Sequence, residues 1–360
     1  MSKNRNVWRL LLVALVVSSA NAGAIAATVP DVLSLPAVHG QQAQHAVLLG
    51  ITRAGERLVA VGERGIVLLS DDSGASWRQS KVPVSSTLTA VQFVDGKQGW
   101  AVGHAGVVLH SSDGGETWAL QLDGKRAAAL ELAAAQAAAD APRQANAERL
   151  VQDGADKPLL ALSFSSAREG VVVGAYGLAM HTSDGGASWT SWMDRLPNPR
   201  GLHLYAVAQQ GQAFYLAGEQ GLLLGSSNAG AQFTTLTSPY EGSYFSLAIE
   251  ANGGLVVGGL RGKLFHSADQ GASFQAVTNP LPISINAAVL VNDQLLLVNQ
   301  AGGLLQGASN GAGLHPLSTP PGAPLLAVAQ APDGVLVGVG FAGPQRLAQG
   351  AQAPSPTIAE

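Results

Sequence analysis

Six copies of one short motif, set at nearly constant intervals, leave this chain few ways to fold. The octets SDDSGASW at Ser70, SSDGGETW at Ser111 and TSDGGASW at Thr182 are followed by SSNAGAQF at Ser226, SADQGASF at Ser267 and a degenerate ASNGAGLH at Ala308. Their start-to-start spacings are 41, 71, 44, 41 and 41 residues. Upstream of each lies an apolar segment, then a turn spelled V-G-x-x-G in the first three copies and close to it in the others, then four or five residues of strand, as in VGERGIVLLSDDSGASW and VGHAGVVLHSSDGGETW. Short β-rich runs divided by regular turn signals mean an all-β array, and a period of roughly 40–45 residues suits four strands per propeller blade.

The octet has a mechanical reading. Its hydroxyl and carboxylate at Ser70 and Asp72, Ser111 and Asp113, or Thr182 and Asp184 can bond backbone amides of their own loop. In the weaker copies Asn228 and Asp269 hold the acid position. The fifth residue (Gly74, Gly115, Gly186, Gly230, Gly271) supplies the positive φ that a tight hairpin needs. The closing Trp77, Trp118, Trp189, Phe233 or Phe274 then starts the next strand and packs between sheets. These residues are expected to be structural and not catalytic.

Composition narrows the function. Of 360 residues, 47% are hydrophobic and 12% charged, which allows a large core and excludes a disordered chain. The absence of cysteine removes disulfide scaffolds, thiolate metal sites and thiol nucleophiles. A net charge of −4 offers no basic footprint for nucleic acid.

The pattern S/T-x-D-x-G-x-x-W is the Asp-box, or bacterial neuraminidase repeat. Its coupling to the V-G-x-x-G strand over about residues 45–347 resembles the photosystem II stability/assembly factor family. That resemblance implies a seven-bladed propeller acting in a lumen or periplasm as a non-enzymatic assembly factor for a membrane-protein complex. The repeat places blades at 45–80, 86–121, 158–193, 202–237, 243–277 and 283–317, with a partial seventh at 325–350 that has room for three strands. A ring with free edges would aggregate, so the segment VLSLPAV at 32–38 is expected to complete the last blade. The fold class is thus an all-β seven-bladed propeller over 28–350, carrying a helical insertion.

Residues 1–27 read as a secretory signal peptide: Lys3, Arg5 and Arg9, an apolar run from Leu10 to Val17, then small residues with ANA and AIA as candidate cleavage sites. An apolar core this short falls below the roughly 20 residues of a membrane span. Export to the periplasm or an equivalent lumen follows. A lipoprotein anchor has no cysteine to use. Residues 351–360 are expected to be a disordered tail.

The tips of the V-G-x-x-G turns vary while their flanks repeat. In ring order they are Glu63-Arg64, His104-Ala105, Ala175-Tyr176, Glu219-Gln220, Leu260-Arg261, Gln300-Ala301 and Phe341-Ala342. Convergent loops with polar and aromatic tips suit a recognition surface. Arg64 and Arg261 are the expected contacts to acidic groups of a client, with Glu63, His104, Tyr176, Glu219, Gln220 and Phe341 as neighbours.

The 71-residue spacing contains an alanine-rich insertion at 123–157. Its composition predicts two helices divided at Pro142, with Asp140 as N-cap of the second. Such helices are marginal alone and are expected to dock through Leu130, Leu132, Leu150 and Val151, on the same face as the variable turns.

Two catalytic patterns are coincidental. GASNG at 307–311 matches G-x-S-x-G but falls in the degenerate octet, and GVGFAG at 338–343 matches G-x-G-x-x-G without a following helix. His110, His181 and His266 each precede an octet and read as structural, and no residue spacing suggests a metal. Asp71-Asp72 is at best a weak calcium candidate. The enzymatic alternative is a sialidase-like glycoside hydrolase using Arg64, Arg261, Glu63, Glu219 and Tyr176, which lacks a third turn arginine. A carbohydrate-binding propeller would rest on Trp192 alone. The expectation is therefore a monomeric, exported interaction protein with no cofactor.

Overall fold

The computed structural model describes residues 31–318 and 323–347. Seven antiparallel sheets follow one another in chain order, at 48–79, 88–122, 159–191, 204–235, 244–276, 285–316 and 325–347. Each runs from its innermost to its outermost strand without a crossover. The innermost strands of successive blades lie side by side, and that of blade 7 lies beside that of blade 1, so the ring closes. This is a seven-bladed β-propeller.

Burial explains the sequence pattern of each strand. The second strand of a blade is covered by neighbouring blades on both faces, so it reads as an unbroken apolar run. Gly170–Gly174, with Val171, Val172 and Val173, is buried throughout. The aromatic that closes each octet packs toward the preceding blade: Trp118 joins the core between blades 1 and 2, Trp189 that between 2 and 3, and Phe233 that between 3 and 4. Trp100 of blade 2 stacks on Phe164 of blade 3, with centroids 3.9 Å apart.

The octets form one repeated hydrogen-bonded loop. In the first, Ser70 Oγ accepts from Gly74 N (2.7 Å) and donates to Asp72 Oδ1 (2.8 Å). Asp72 also accepts from Ser76 N (2.9 Å) and Ser76 Oγ (2.6 Å). The same bonds recur around Asp113, Asp184 and Asp269. The seventh position (Ser76, Thr117, Ser188, Ser273) is therefore a working part of the loop that the motif's spelling leaves as an "x". In the sixth copy Ala308 replaces the first hydroxyl and a different turn forms, with Gly311 N donating to Ala308 O.

Blade 7 closes differently from the expectation. Its sheet has three strands among the described residues, and 32–38 is not a strand. Asp31 Oδ1 captures the Leu33 N–H and starts a turn, and Pro36 has no N–H to give a ladder. The segment instead follows the connection between blades 1 and 2, where Ser85 N donates to Val32 O and Ala37 N to Val82 O. The next element, a short 3-10 helix at Gln41–His45, seals the ring by lying against the outer strand Gly343–Leu347 of blade 7. There Gln44 Nε2 donates to Trp77 O of blade 1 at 2.8 Å. Arg346 of blade 7 reaches back to the Ser73 carbonyl and to Asp333.

The insertion folds as α1 (Gly124–Ala137) and α2 (Ala141–Asp153), capped by Asp123 and Asp140, with Pro142 in the first turn of α2. Of the expected docking residues Leu130 packs against the core between blades 2 and 3, and Leu132 is half-buried, but the fully buried face is made of smaller residues. Gly124, Ala127, Ala128, Glu131 and Ala135 are the buried residues of α1, at helical spacing, while Leu150 is half-buried and Val151 is exposed. Ala127 joins that core directly, where its small side chain lets the helix backbone come close.

Candidate functional site

Antiparallel strands put the V-G-x-x-G turns and the octets at opposite ends of the third strand, so the variable tips share one face. Each turn is tied to its own blade. The first tip residue donates its N–H to the carbonyl just before the innermost strand: Glu63 to Val47, His104 to Thr87, and so through Phe341 to Pro324, at 2.8–3.2 Å in all seven blades. The glycine ahead of the tip is required by that approach. A Cβ on Gly62, Gly103, Gly174, Gly218, Gly259 or Gly340 would overlap the same carbonyl. Blade 6 departs, placing Asn299 there, whose Oδ1 accepts from Ala301 N and Gly303 N.

The second tip residue is held in the left-handed region: Arg64 at φ 53°, Ala105 at 58°, Tyr176 at 57°, Gln220 at 50° and Arg261 at 57°. This conformation costs a non-glycine residue about 1–2 kcal/mol. It lifts the side chain off the blade. Arg64, Gln220 and Arg261 are exposed, and Tyr176 and Phe341 are 54% and 55% exposed. The Arg64 and Arg261 guanidiniums have no hydrogen-bond or ion-pair partner among the described residues.

The two acidic tips behave otherwise. Glu63 Oε1 accepts from Val47 N at 3.0 Å, and Glu219 Oε2 accepts from His203 N at 2.8 Å. Equivalent positions thus turn both carboxylates back onto their own blades. Burial, then the Glu219 charge and a hydrogen bond to it, raise the Tyr205 hydroxyl above the ordinary tyrosine range. His104 is exposed beside the insertion, since a Cβ on Gly106 would meet the Gly124 backbone.

A second ring lay unread in the sequence. In all seven blades the innermost strand carries a register irregularity after its first residue, as at Leu48/Gly50, Leu159/Ala161 and Tyr244/Ser246. The spelling is large–variable–small in all seven: Leu48-Leu49-Gly50, Leu88-Thr89-Ala90, Leu159-Leu160-Ala161, Leu204-Tyr205-Ala206, Tyr244-Phe245-Ser246, Ile285-Asn286-Ala287 and Leu325-Leu326-Ala327. The middle residue is half-buried in every case. A bulge re-aims one side chain while the strand goes on. The signal was present as a large–small alternation, hidden because an unbroken apolar strand start looks the same.

The insertion and the connection after blade 3 enclose a groove of about 890 Å³ beside Tyr176. Its floor is fixed by a buried ion pair: Arg143 Nε and Nη2 bind Glu131 at 2.7 and 2.8 Å, and Ser191 Oγ of blade 3 donates to the same carboxylate. Glu131 is 2% exposed. Its opposite wall is braced by Asn198, which donates to Leu202 O and accepts from Leu202 N.

Other expected roles fall out of this geometry. Trp192 is buried, stacked on His181 at 4.2 Å, and offers no face to a sugar. Ser309 of GASNG donates to Glu250, which also binds His266, and GVGFAG is a strand and turn. Asp71 is paired with Arg57 and Arg78. No group of three metal-capable side chains occurs among the described residues, and none of their helices is long and apolar enough to cross a membrane.

A family model, Photosynthesis system II assembly factor YCF48, matches residues 53–141 and 140–241, just over half of the chain. The chain belongs to the YCF48 assembly-factor family. Among curated relatives, the photosystem II assembly lipoprotein Ycf48 of Synechococcus sp. (strain CC9902) is 34% identical over 77 residues, 21% of this chain and 23% of that protein. The match therefore spans under a quarter of the relative's length. Two YCF48 structures share the fold. One, of YCF48 bound to D1 peptide, has a TM-score of 0.60 at 14% identity, covering 87% of this chain and 99% of the other. The other, from Cyanidioschyzon merolae, has a TM-score of 0.62 at 16% identity, covering 84% and 95%. The WD40 propeller domain of Doa1 fits as well, with a TM-score of 0.61 at 11% identity over 88% and 95%. Propeller geometry alone therefore does not separate YCF48 from unrelated ring proteins; the family match does.

Proposed function

We propose that this YCF48-family protein is an exported, non-enzymatic assembly or stability factor that holds a membrane-protein client against the face carrying its variable turns. The observation that carries this reading is the pair Arg64 and Arg261, raised on left-handed turns and without counter-ions among the described residues. Guanidiniums held this way keep their donor forks free for a partner's carboxylates. Support for the client class comes from the relatives: one structure is of YCF48 bound to D1 peptide, and the curated relative is a photosystem II assembly lipoprotein. Binding without turnover agrees with Glu63 and Glu219 having their carboxylates committed to backbone amides. The signal sequence at 1–27 lies outside the described residues; periplasmic or lumenal location rests on its spelling and on the relative's name.

The test is a crosslinked pull-down from the native cell envelope, comparing the unaltered chain with the double variant Arg64→Glu/Arg261→Glu. One integral membrane complex should be enriched by the former and reduced at least about tenfold by the latter, since one charge-assisted bond is worth about 1.5–3 kcal/mol. The melting temperature should stay unchanged. Equal capture by both would overturn the reading, and cleavage of a fluorogenic sialoside by a partner-free sample would point to a glycosidase.

A further inference from the structure

The turn face carries a continuous path that neither the tips nor the insertion account for separately. Phe245 and Tyr205, bulge residues of neighbouring blades, meet edge to face with centroids 5.2 Å apart. Tyr205 meets His203 at 6.1 Å, and His203 meets Tyr176 at 4.8 Å. All four rings are partly exposed. The path thus runs from the innermost strand of blade 5 to Tyr176, which lines the groove under the insertion. There Lys157 Nζ sits 4.8 Å from the Tyr176 ring centre.

Charge in the groove is settled locally and not by sum, because its lining holds four basic and four acidic residues. Every acid has a partner: Glu131 and Asp194 face Arg143, Asp153 faces Lys157, and Asp140 caps α2. Arg149 has no hydrogen-bond or ion-pair partner among the described residues, and Arg200 has only the neutral Gln220 Oε1, at 2.7 Å. Two guanidiniums therefore keep free donors in a groove that Tyr176 joins to the aromatic path and whose walls are already braced. Aromatic rings and arginines in a preformed cleft are the composition of an interaction hot spot.

We propose that this path is the seat of an extended acidic peptide segment of the client, its apolar side chains on Phe245, Tyr205, His203 and Tyr176 and its carboxylates on Arg149 and Arg200. The proposal deepens the reading of the turn face as a client-binding surface and rests on it. The commitment to an acidic peptide comes from charge complementarity with these two arginines, which have no acidic partner among the described residues.

The experiment is fluorescence polarisation of the full chain with a labelled synthetic peptide alternating Asp or Glu with Leu or Phe, beside the same peptide with Lys in place of each acid. The acidic peptide should bind and the lysine peptide should not. Arg149→Glu/Arg200→Glu should weaken binding at least about tenfold, Tyr176→Ala should weaken it too, and higher salt should do the same to the unaltered chain. Unchanged binding in the arginine pair, equal binding of both peptides, or no binding of either overturns the proposal. Arg64→Glu/Arg261→Glu separates the two readings. If it abolishes client capture while the groove variant has no effect on the acidic peptide, the face stands and the path falls. If client capture survives it while peptide binding depends on Arg149 and Arg200, the path stands and the turn arginines fall.

Discussion

At the residue scale, the octet stabilises its loop by closing every local bond. Ser70 is 1% exposed and its Oγ satisfies the buried Gly74 N–H. Ser70→Ala leaves that donor unpaired and is expected to cost about 1–3 kcal/mol in a denaturant titration. Ser70→Thr should be nearly silent, because Thr182 makes the same bonds in blade 3. Acid sensitivity follows from the same loops. Bonds from the neighbouring hydroxyl, backbone amide and first-position hydroxyl hold Asp72, Asp184 and Asp269 down to about 2, from an ordinary 3.8. A lowered folded-state pKa stabilises above the unfolded value and ceases to do so as pH falls through the folded one. Melting temperature should therefore be flat, as far as these groups decide it, above about pH 5 and should drop between about pH 4 and 2. The chain holds its own control: Asn228 keeps the acceptor bonds to Ser226 Oγ and Gln232 N without a charge. Asp72→Asn/Asp184→Asn/Asp269→Asn should shrink the acid limb of the melting curve.

At the element scale, a buried ion pair ties the second helix of the insertion to the first. Arg143→Ala strands the Glu131 carboxylate between α1 and Ser191, a loss of about 3–5 kcal/mol for a buried pair broken on one side. The cost should be local. Hydrogen exchange should quicken across Ala141–Asp153 while the amides of blades 4 to 6 keep their protection, because α2 adds no strand to any sheet. Collapse of protection throughout the ring would show instead that the insertion supports the propeller. Within the sequence the helices, their Asp140 cap and the Pro142 start were legible from propensity. The docking face was not. Alanine reads as a helix former, and nothing local shows that Ala127, Ala128 and Ala135 are the ones the fold buries.

At the scale of the whole molecule, the weak point is the seam between blades 7 and 1. Gly343 sits at φ 82°, and a Cβ there would overlap the Gln44 carbonyl of the sealing helix Gln41–His45. Gly343→Ala should lower the melting temperature and raise exchange in both the sealing helix and blade 7. Gly313→Ala, at φ 66° with nothing within 4 Å of its Cβ, should cost only the left-handed penalty of about 1–2 kcal/mol. Equal effects would mean that the helix does not seal the ring.

The repeat alone determined the architecture: hairpin, blade length, blade number and the site of the insertion. Its signals are local, since a positive φ, a self-bonded aspartate and an apolar alternation need nothing distant to be recognised. Only the tertiary structure decided what closes the last blade, which way each turn side chain faces, and which surfaces join into one site. Glu63 and Arg64 are adjacent in sequence, yet one carboxylate folds onto Val47 and its neighbour's guanidinium has no partner among the described residues. Tyr176, Tyr205 and Phe245 belong to three different blades and share one aromatic path because the closed ring sets those blades side by side. Neighbours across blades are fixed by ring closure, a property of all seven repeats together, and no single copy of the motif contains it.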